Sequence, residues 1–352
     1  MSLSQKEHTL IRSAGIFIVA TGAFLLLKPL SLPGGDSEEM ALWAESAWFW
    51  YYVRAPLTFF IHQVFWRLMN PFGWSGFEAI GFLSCIAGGF YVLALTRISR
   101  SYIFLIFNLI APYMLIFVWH VEIYSWVSMS LVWYIAAVHR FCKHDASIIA
   151  ATFFVALAIA FHNLAFFYVP SLLFVLFSLT RENGKIRIIS NPAIPKHQWI
   201  PMSLIFIVLF MSMIVIQIVA RDFMCGMGVN SSRFCPIFTN RDPQHYFFTM
   251  FSIAHLRLYG YFLVRSSPLA LPIIVILSPW YLRGRFYWFL GIMALCGYLW
   301  TFAWHPDMGT IDWDLFGNAA IPANILAGLL LRDLIMSLRK KKQSQTRMIY
   351  IR

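Results

Sequence analysis

Leu10–Leu30 (LIRSAGIFIVATGAFLLLKPL) is an apolar run, and a few residues later the chain turns acidic in Gly34-Gly35-Asp36-Ser37-Glu38-Glu39. As a helix, the first stretch is long enough to cross a hydrocarbon core of roughly 30 Å. The second then sits where the chain leaves the bilayer. Carboxylates are costly in hydrocarbon, so an acidic cluster pinned at this boundary is a candidate functional site; the plainer alternative is a solvated loop at a helix end. The residues that follow are rich in aromatics, among them Trp43, Trp48, Trp50, Tyr51, Tyr52 and Trp66.

The composition says what kind of chain this is. Of 352 residues, 60% are hydrophobic and 12% charged, and mean hydropathy is +0.69. A soluble domain of that length is not so apolar, which points to an all-α polytopic membrane protein in one domain, residues 1–352. The apolar run after Lys6 and Arg12 spans rather than being cleaved, because Lys28-Pro29-Leu30 is no small-residue cleavage site. The excess of 27 Lys and Arg over 15 Asp and Glu raises the question of nucleic acid. The basic residues fall between apolar segments, mainly on one side, as topology demands, so no nucleic-acid partner is expected. The five cysteines show no zinc-ligand spacing.

About ten apolar runs are candidates for transmembrane helices: 12–30, 76–96, 102–119, 124–139, 147–163, 165–180, 200–220, 267–282, 286–304 and 317–336. Proline inside several of them, such as Pro112, Pro170, Pro268 and Pro272, is tolerable where neighbours re-satisfy the backbone. With a cytoplasmic N-terminus and every run crossing, 19 of the 27 Lys and Arg lie inside and 11 of the 15 acids outside. The Lys/Arg bias sets the orientation and puts both termini in the cytoplasm. Two outer loops are long, about 31–75 and 221–266. Each holds a stretch that reads as a helix lying in the interface: Pro56–Asn70, with His62 and Arg67, and Tyr246–Arg265, with His255 and Arg257. The basic tail 339–352 reads as a cytoplasmic anchor that meets anionic lipid.

On this topology four polar stretches reach the outer face. They are Asp36, Glu38 and Glu39; Trp119–Trp126 (WHVEIYSW), with His120 and Glu122; His162-Asn163; and His305–Asp314, with Asp312 and Asp314. A tight turn holds His120 and Glu122 at membrane depth, where each needs a partner or a wet cavity. Taken singly, each is a satisfied interfacial residue; their convergence on one face points to a site. A carboxylate there can act as general base on an acceptor hydroxyl. His255 and Arg257 can hold a phosphate and stabilise its charge as it leaves, the alternative being side chains that snorkel to the headgroups. If the chain is extended between Asp312 and Asp314, both project to one side and Trp313 to the interface. Carboxylates so close favour an arginine, a hydrogen-bond donor or a divalent cation between them, or else one raised pKa; the plainer alternative is a polar turn with an Asp capping the final helix. No Walker loop, dinucleotide-binding glycine motif or HExxH zinc motif appears.

These stretches resemble motifs of the GT-C class of integral-membrane glycosyltransferases, in particular a bacterial branch of protein- and lipid-mannosyltransferase-like enzymes. Gly35-Asp36, followed by WAESAWFWYYVRAPLTFF with Arg54 in its Arg-x-Pro-Leu run, is similar to the acidic first-loop motif. Trp119–Tyr124 resembles a Gly-Tyr-Val-Glu-Asn-Tyr motif, with His120 in place of an aromatic and Ile123 in place of Asn. Ser252–Leu256, with Pro268 after it, resembles the late outer helix, and Asp312–Phe316 an Asp-Trp-Asp-Leu stretch. The resemblance implies a polyprenyl-phosphate-linked sugar as donor and Asp36 as catalytic base, with no cofactor beyond an optional divalent cation. It also implies a glycan, lipid or protein acceptor, and an extracytoplasmic active site in a bacterial inner membrane. Substrate contacts fall to Glu38, Glu39, Arg54, His120, Glu122, His162, His255, Arg257, Asp312 and Asp314. A transporter or flippase would be expected to carry polar residues at mid-membrane and an internal repeat, and a non-enzymatic assembly subunit would need no converging acids. Cys225 and Cys235, both in the second outer loop, are expected either to form a disulfide or to stay unpaired.

Overall fold

Proline and polar residues decide how many of the apolar runs stay whole. The computed structural model describes residues 3–32, 35–182, 185–219, 224–225, 234–239, 248–306 and 308–350. Among these, five helices are long and apolar enough to cross a membrane singly: Glu7–Leu26, Gly76–Ile98, Lys196–Val215, Arg285–Ala303 and Gly309–Lys340. The number rises to six if Ile253–Ser266 and Ala270–Tyr281, bent by 78° at their junction, form one span. About ten crossings are therefore not confirmed, and the reasons are local.

The run 102–119 breaks into α5 (Tyr102–Leu109) and a 3-10 turn, Pro112–Phe117, because Pro112 has no N–H to continue a helix. The run 147–163 yields α7 (Ile149–Phe161), whose 13 residues reach only about 20 Å. The run 165–180 becomes a 3-10 turn, then α8 (Val169–Leu176), then β2 (Phe177–Glu182), which pairs antiparallel with β3 (Lys185–Ser190). Residues 124–139 form α6 (Tyr124–Cys142), long enough to cross but carrying Ser125, Ser128, Ser130 and His139 as buried polar groups. Among the described residues the chain is thus predominantly helical, with two small two-stranded sheets.

Both outer loops keep a short helix. In the first, α2 (Ser37–Ala44) and α3 (Pro56–Met69) pack on α4 (Gly76–Ile98). In the second, α10 (Ile253–Ser266) begins at Ser252, whose hydroxyl accepts the His255 N–H, and runs into α11 (Ala270–Tyr281). The start expected at Tyr246 lies outside the described residues. The loops are tied together by β1 (Tyr51–Tyr52), which pairs parallel with β4 (Met224–Cys225). The remaining helices are α1 (Leu3–Leu26), α9 (Trp199–Val219), α12 (Arg285–Ala303) and α13 (Trp313–Tyr350). The basic tail is the last part of α13 rather than a separate segment.

α13 is the spine. It is buried continuously from Trp313 to Leu330 and packs on α5, α6, α10, α11 and α12. Such a helix needs its few polar groups met from other helices. Asn318 accepts the Ser128 hydroxyl at 2.5 Å, and Asn324 accepts Ser267 at 2.5 Å while donating to Asn108 at 3.2 Å. Pro322 cannot donate to the Asn318 carbonyl four residues back, and Tyr168 donates its hydroxyl there instead, at 3.3 Å.

The turn that follows Val118 is held against α4 by Gly81. A Cβ at Gly81 would meet the Trp119 indole at 2.6 Å, and Trp119 itself has φ 52°, a conformation that side chains rarely adopt. We expect Gly81→Val to displace this turn and cost about 1–3 kcal/mol, seen as a lower thermal midpoint in detergent. An unchanged midpoint would mean that the turn is not held here.

Candidate active site

Three of the four outer stretches meet at one point. The Asp36 N–H donates to Glu122 Oε1 at 2.9 Å, and Asp36 precedes α2, its carbonyl accepting the Met40 N–H. Gly35 has no side chain because Met308, from the last outer loop, packs against it. His120 is buried and fully engaged. Its N–H donates to the Ser84 hydroxyl at 3.0 Å, Nδ1 lies 3.1 Å from the Leu32 carbonyl, and Nε2 lies 2.9 Å from Asp314 Oδ2. The Leu32 carbonyl can only accept, so Nδ1 carries a hydrogen. The Nε2–Oδ2 contact takes one shared proton and joins His120 and Asp314 into a single hydrogen-bonded unit.

Glu122 is 4% exposed. Burial pushes its carboxyl well above the ordinary carboxylate range, and the charges of Asp314 and then Asp36 push the same way. Its Oε1 still accepts the Asp36 N–H. Asp36, partly exposed, is left as the carboxylate of this group that reaches solvent.

Asp312 and Asp314 are not on one side of an extended connection. The chain is a 3-10 turn (Gly309–Asp312) leading into α13; Asp312 Oδ2 accepts the Met308 N–H at 2.9 Å, while Asp314 points inward. Trp313 is not an interfacial anchor either. It is 4% exposed, with its ring 5.5 Å from that of His120 and the Arg265 guanidinium 5.3 Å from its centroid. Asp307 lies outside the described residues.

The fourth stretch joins through aromatic packing. The His162 ring lies 5.4 Å from that of Tyr124, and Asn163 donates its N–H to the Arg54 carbonyl at 2.8 Å. Burial, with the nearby Arg54 charge, lowers the His162 pKa to about 3 and keeps it neutral. Glu38 and Glu39 are exposed in the first turn of α2. His255 and Arg257 do not form a phosphate site together. The His255 ring is buried between the Phe302 carbonyl, 2.8 Å from Nε2, and the Cys235 sulfur, 3.8 Å from Nδ1, while Arg257 is exposed. Cys235 is a free thiol, so the bridge to Cys225 is not made. Among the described residues no three of His, Cys, Asp and Glu are grouped to hold a metal ion.

Two cations were missed in the sequence: Arg265 over Trp313, and Lys28, whose ammonium is 3.8 Å from the centroid of Trp119. Both flank the His120 turn. The signal for Arg265 was its place at the end of the second outer helix, ten residues beyond His255.

No protein-family description matches the sequence, and no curated protein does. Two solved structures are similar, ArnT from Cupriavidus metallidurans bound to undecaprenyl phosphate and the same protein in the apo state. Each aligns with a TM-score of 0.56 at 14% identity, over 92% and 93% of this chain respectively. The chain shares the fold of ArnT. The chain spans 60% of ArnT's length, and at this identity the likeness is one of architecture.

The buried Glu122 gives a stability signature. Its pKa is raised on folding, so its contribution is fully present below the ordinary carboxylate value and is lost as pH rises towards the raised one. We expect the thermal midpoint of the wild type to fall between pH 5 and pH 8 by more than that of Glu122→Gln, which cannot ionise. Parallel curves for the two proteins would contradict this assignment.

Proposed function

We propose that the protein is a membrane glycosyltransferase, hexosyl or pentosyl, that moves a sugar from a polyprenyl-phosphate carrier to a hydroxyl of a glycan, lipid or protein. The observation that carries this reading is the meeting of Asp36, Glu122, His120 and Asp314, from three distant parts of the chain, beside the Arg265–Trp313 pair. Two further facts support it: the GT-C-like fold shared with ArnT, and the undecaprenyl phosphate bound by ArnT.

In this mechanism Asp36 accepts the acceptor hydroxyl's proton as the oxygen attacks the anomeric carbon. A new C–O bond forms there as the bond from the same carbon to the phosphate oxygen breaks. Polyprenyl phosphate leaves from the opposite face, giving inversion. Glu122 is buried and turned to the backbone, and its role is to hold the Asp36 N–H. The unit of His120 and Asp314 fixes the turn and the start of α13. Arg265 stabilises the charge that develops on the leaving phosphate, the work first expected of His255 and Arg257. No step requires a metal. The site faces the extracytoplasmic side of a bacterial inner membrane, with both termini cytoplasmic, in keeping with the distribution of Lys and Arg.

A positioned general base contributes about 10²–10⁴-fold. Asp36→Asn should lower consumption of lipid-linked sugar by at least that lower factor, with membrane insertion unchanged, whereas Glu38→Ala and Glu39→Ala should stay near wild type. A correctly inserted Asp36→Asn protein with full activity would remove Asp36 as the base.

A further inference from the structure

The far end of the molecule carries a second polar concavity, unrelated to the acidic site. α1 and α4 touch closely at their middle, where Thr21 and Phe24 pack on Gly89 and Gly88, and the rings of Phe17 and Phe90 are 4.5 Å apart. Beyond Phe17 the helices part and leave a cavity of about 220 Å³. Ile16 and Leu93 are its apolar lining, and its polar lining is His8, Thr9, Arg12, Ser13, Thr96, Arg97 and Arg100. No carboxylate is among the described residues that line it. Glu7 is the acid nearest in sequence, and it does not line the cavity. Asp333, also at this end, is already paired with Arg332 at 2.6 Å.

The cavity is held in shape from both sides. Arg97 donates to the Ser13 hydroxyl at 2.7 Å across the gap, and that hydroxyl donates to the Thr9 carbonyl at 2.8 Å. Three guanidinium groups around one concave space repel each other, Arg12 and Arg100 from its exposed rim and Arg97 from its half-buried wall. An anion lowers that energy, and guanidinium forks match phosphate oxygens. α1 also exposes Leu10 and Ile11, at 71% and 70%, an apolar surface beside the cavity against which acyl chains can lie.

We infer that the cavity between α1 and α4 binds a phosphate anion, carried by a phospholipid headgroup or present as free phosphate. The test is native mass spectrometry and thermal unfolding of the full chain in detergent. The added probes are phosphatidylglycerol, diacylglycerol as the uncharged control, and inorganic phosphate. Wild type should retain phosphatidylglycerol over diacylglycerol if the source is the headgroup, and be stabilised by inorganic phosphate alone if it is the free anion. In either case Arg12→Gln/Arg97→Gln/Arg100→Gln should weaken binding at least tenfold, and the exposed single variant Arg100→Gln should weaken it measurably. The triple lysine variant at the same positions, which keeps the charge but loses the guanidinium forks, should bind more weakly than wild type and more tightly than the triple glutamine variant. Arg339→Gln/Lys340→Gln, in the distal part of α13 that is expected to meet anionic lipid, should lose less binding than the variants of the cavity. The proposal is overturned if wild type binds neither anionic probe, if the arginine variants bind as tightly as wild type, or if the α13 variant loses binding equally.

Discussion

The contact between His120 Nε2 and Asp314 Oδ2 closes the outer end of the molecule. It joins a turn that follows a broken helix to the first turn of α13, across 194 residues of sequence. Both groups are buried, and removing one partner would leave the other polar atom unsatisfied at a cost of about 1–3 kcal/mol. The Leu32 carbonyl on the other ring nitrogen adds the end of the first apolar segment to the same unit. Three segments are thereby fixed around Glu122, and Glu122 in turn fixes Asp36 through its backbone. The acidic loop is therefore held both by this buried polar unit and by the packing of α2 on α4.

That arrangement divides the carboxylates by environment. Glu122 and Asp314 are buried and spent on structure, Asp312 caps a turn, and Glu38 and Glu39 face solvent. Asp36 alone of the three converging acids combines contact with the cluster and partial exposure. Separation of roles by burial is a general means by which neighbouring acids avoid competing for one proton. The cations show the same economy of placement: Arg265 and Lys28 lie over the faces of Trp313 and Trp119, where ring quadrupoles orient them.

Much of this was legible in the sequence. The long apolar runs at 12–30, 76–96, 200–220, 286–304 and 317–336 each became a helix able to span, since length and hydropathy alone decide that. Asp36 was marked by a carboxylate at the membrane boundary, His120 and Glu122 by polar groups at membrane depth, and Asp314 by its place in the last connection. What could not be read was tertiary. Pro112 and the short helix Ile149–Phe161 leave fewer single helices long enough to span, among the described residues, than apolarity alone suggests. The pairing of Asp312 with its own turn and of Asp314 with His120 depends on helical, not extended, geometry. Arg265 escaped notice because cation–π contacts join residues far apart in sequence, while His255 looked available until Phe302 and Cys235 were found beside it.

The most direct measurement is a structure of the full chain with a polyprenyl phosphate. The account predicts phosphate density beside the Arg265 guanidinium and Trp313, facing Asp36, with the His120–Asp314 contact retained. A headgroup bound at any other position, with Arg265 still closed over Trp313, would contradict it.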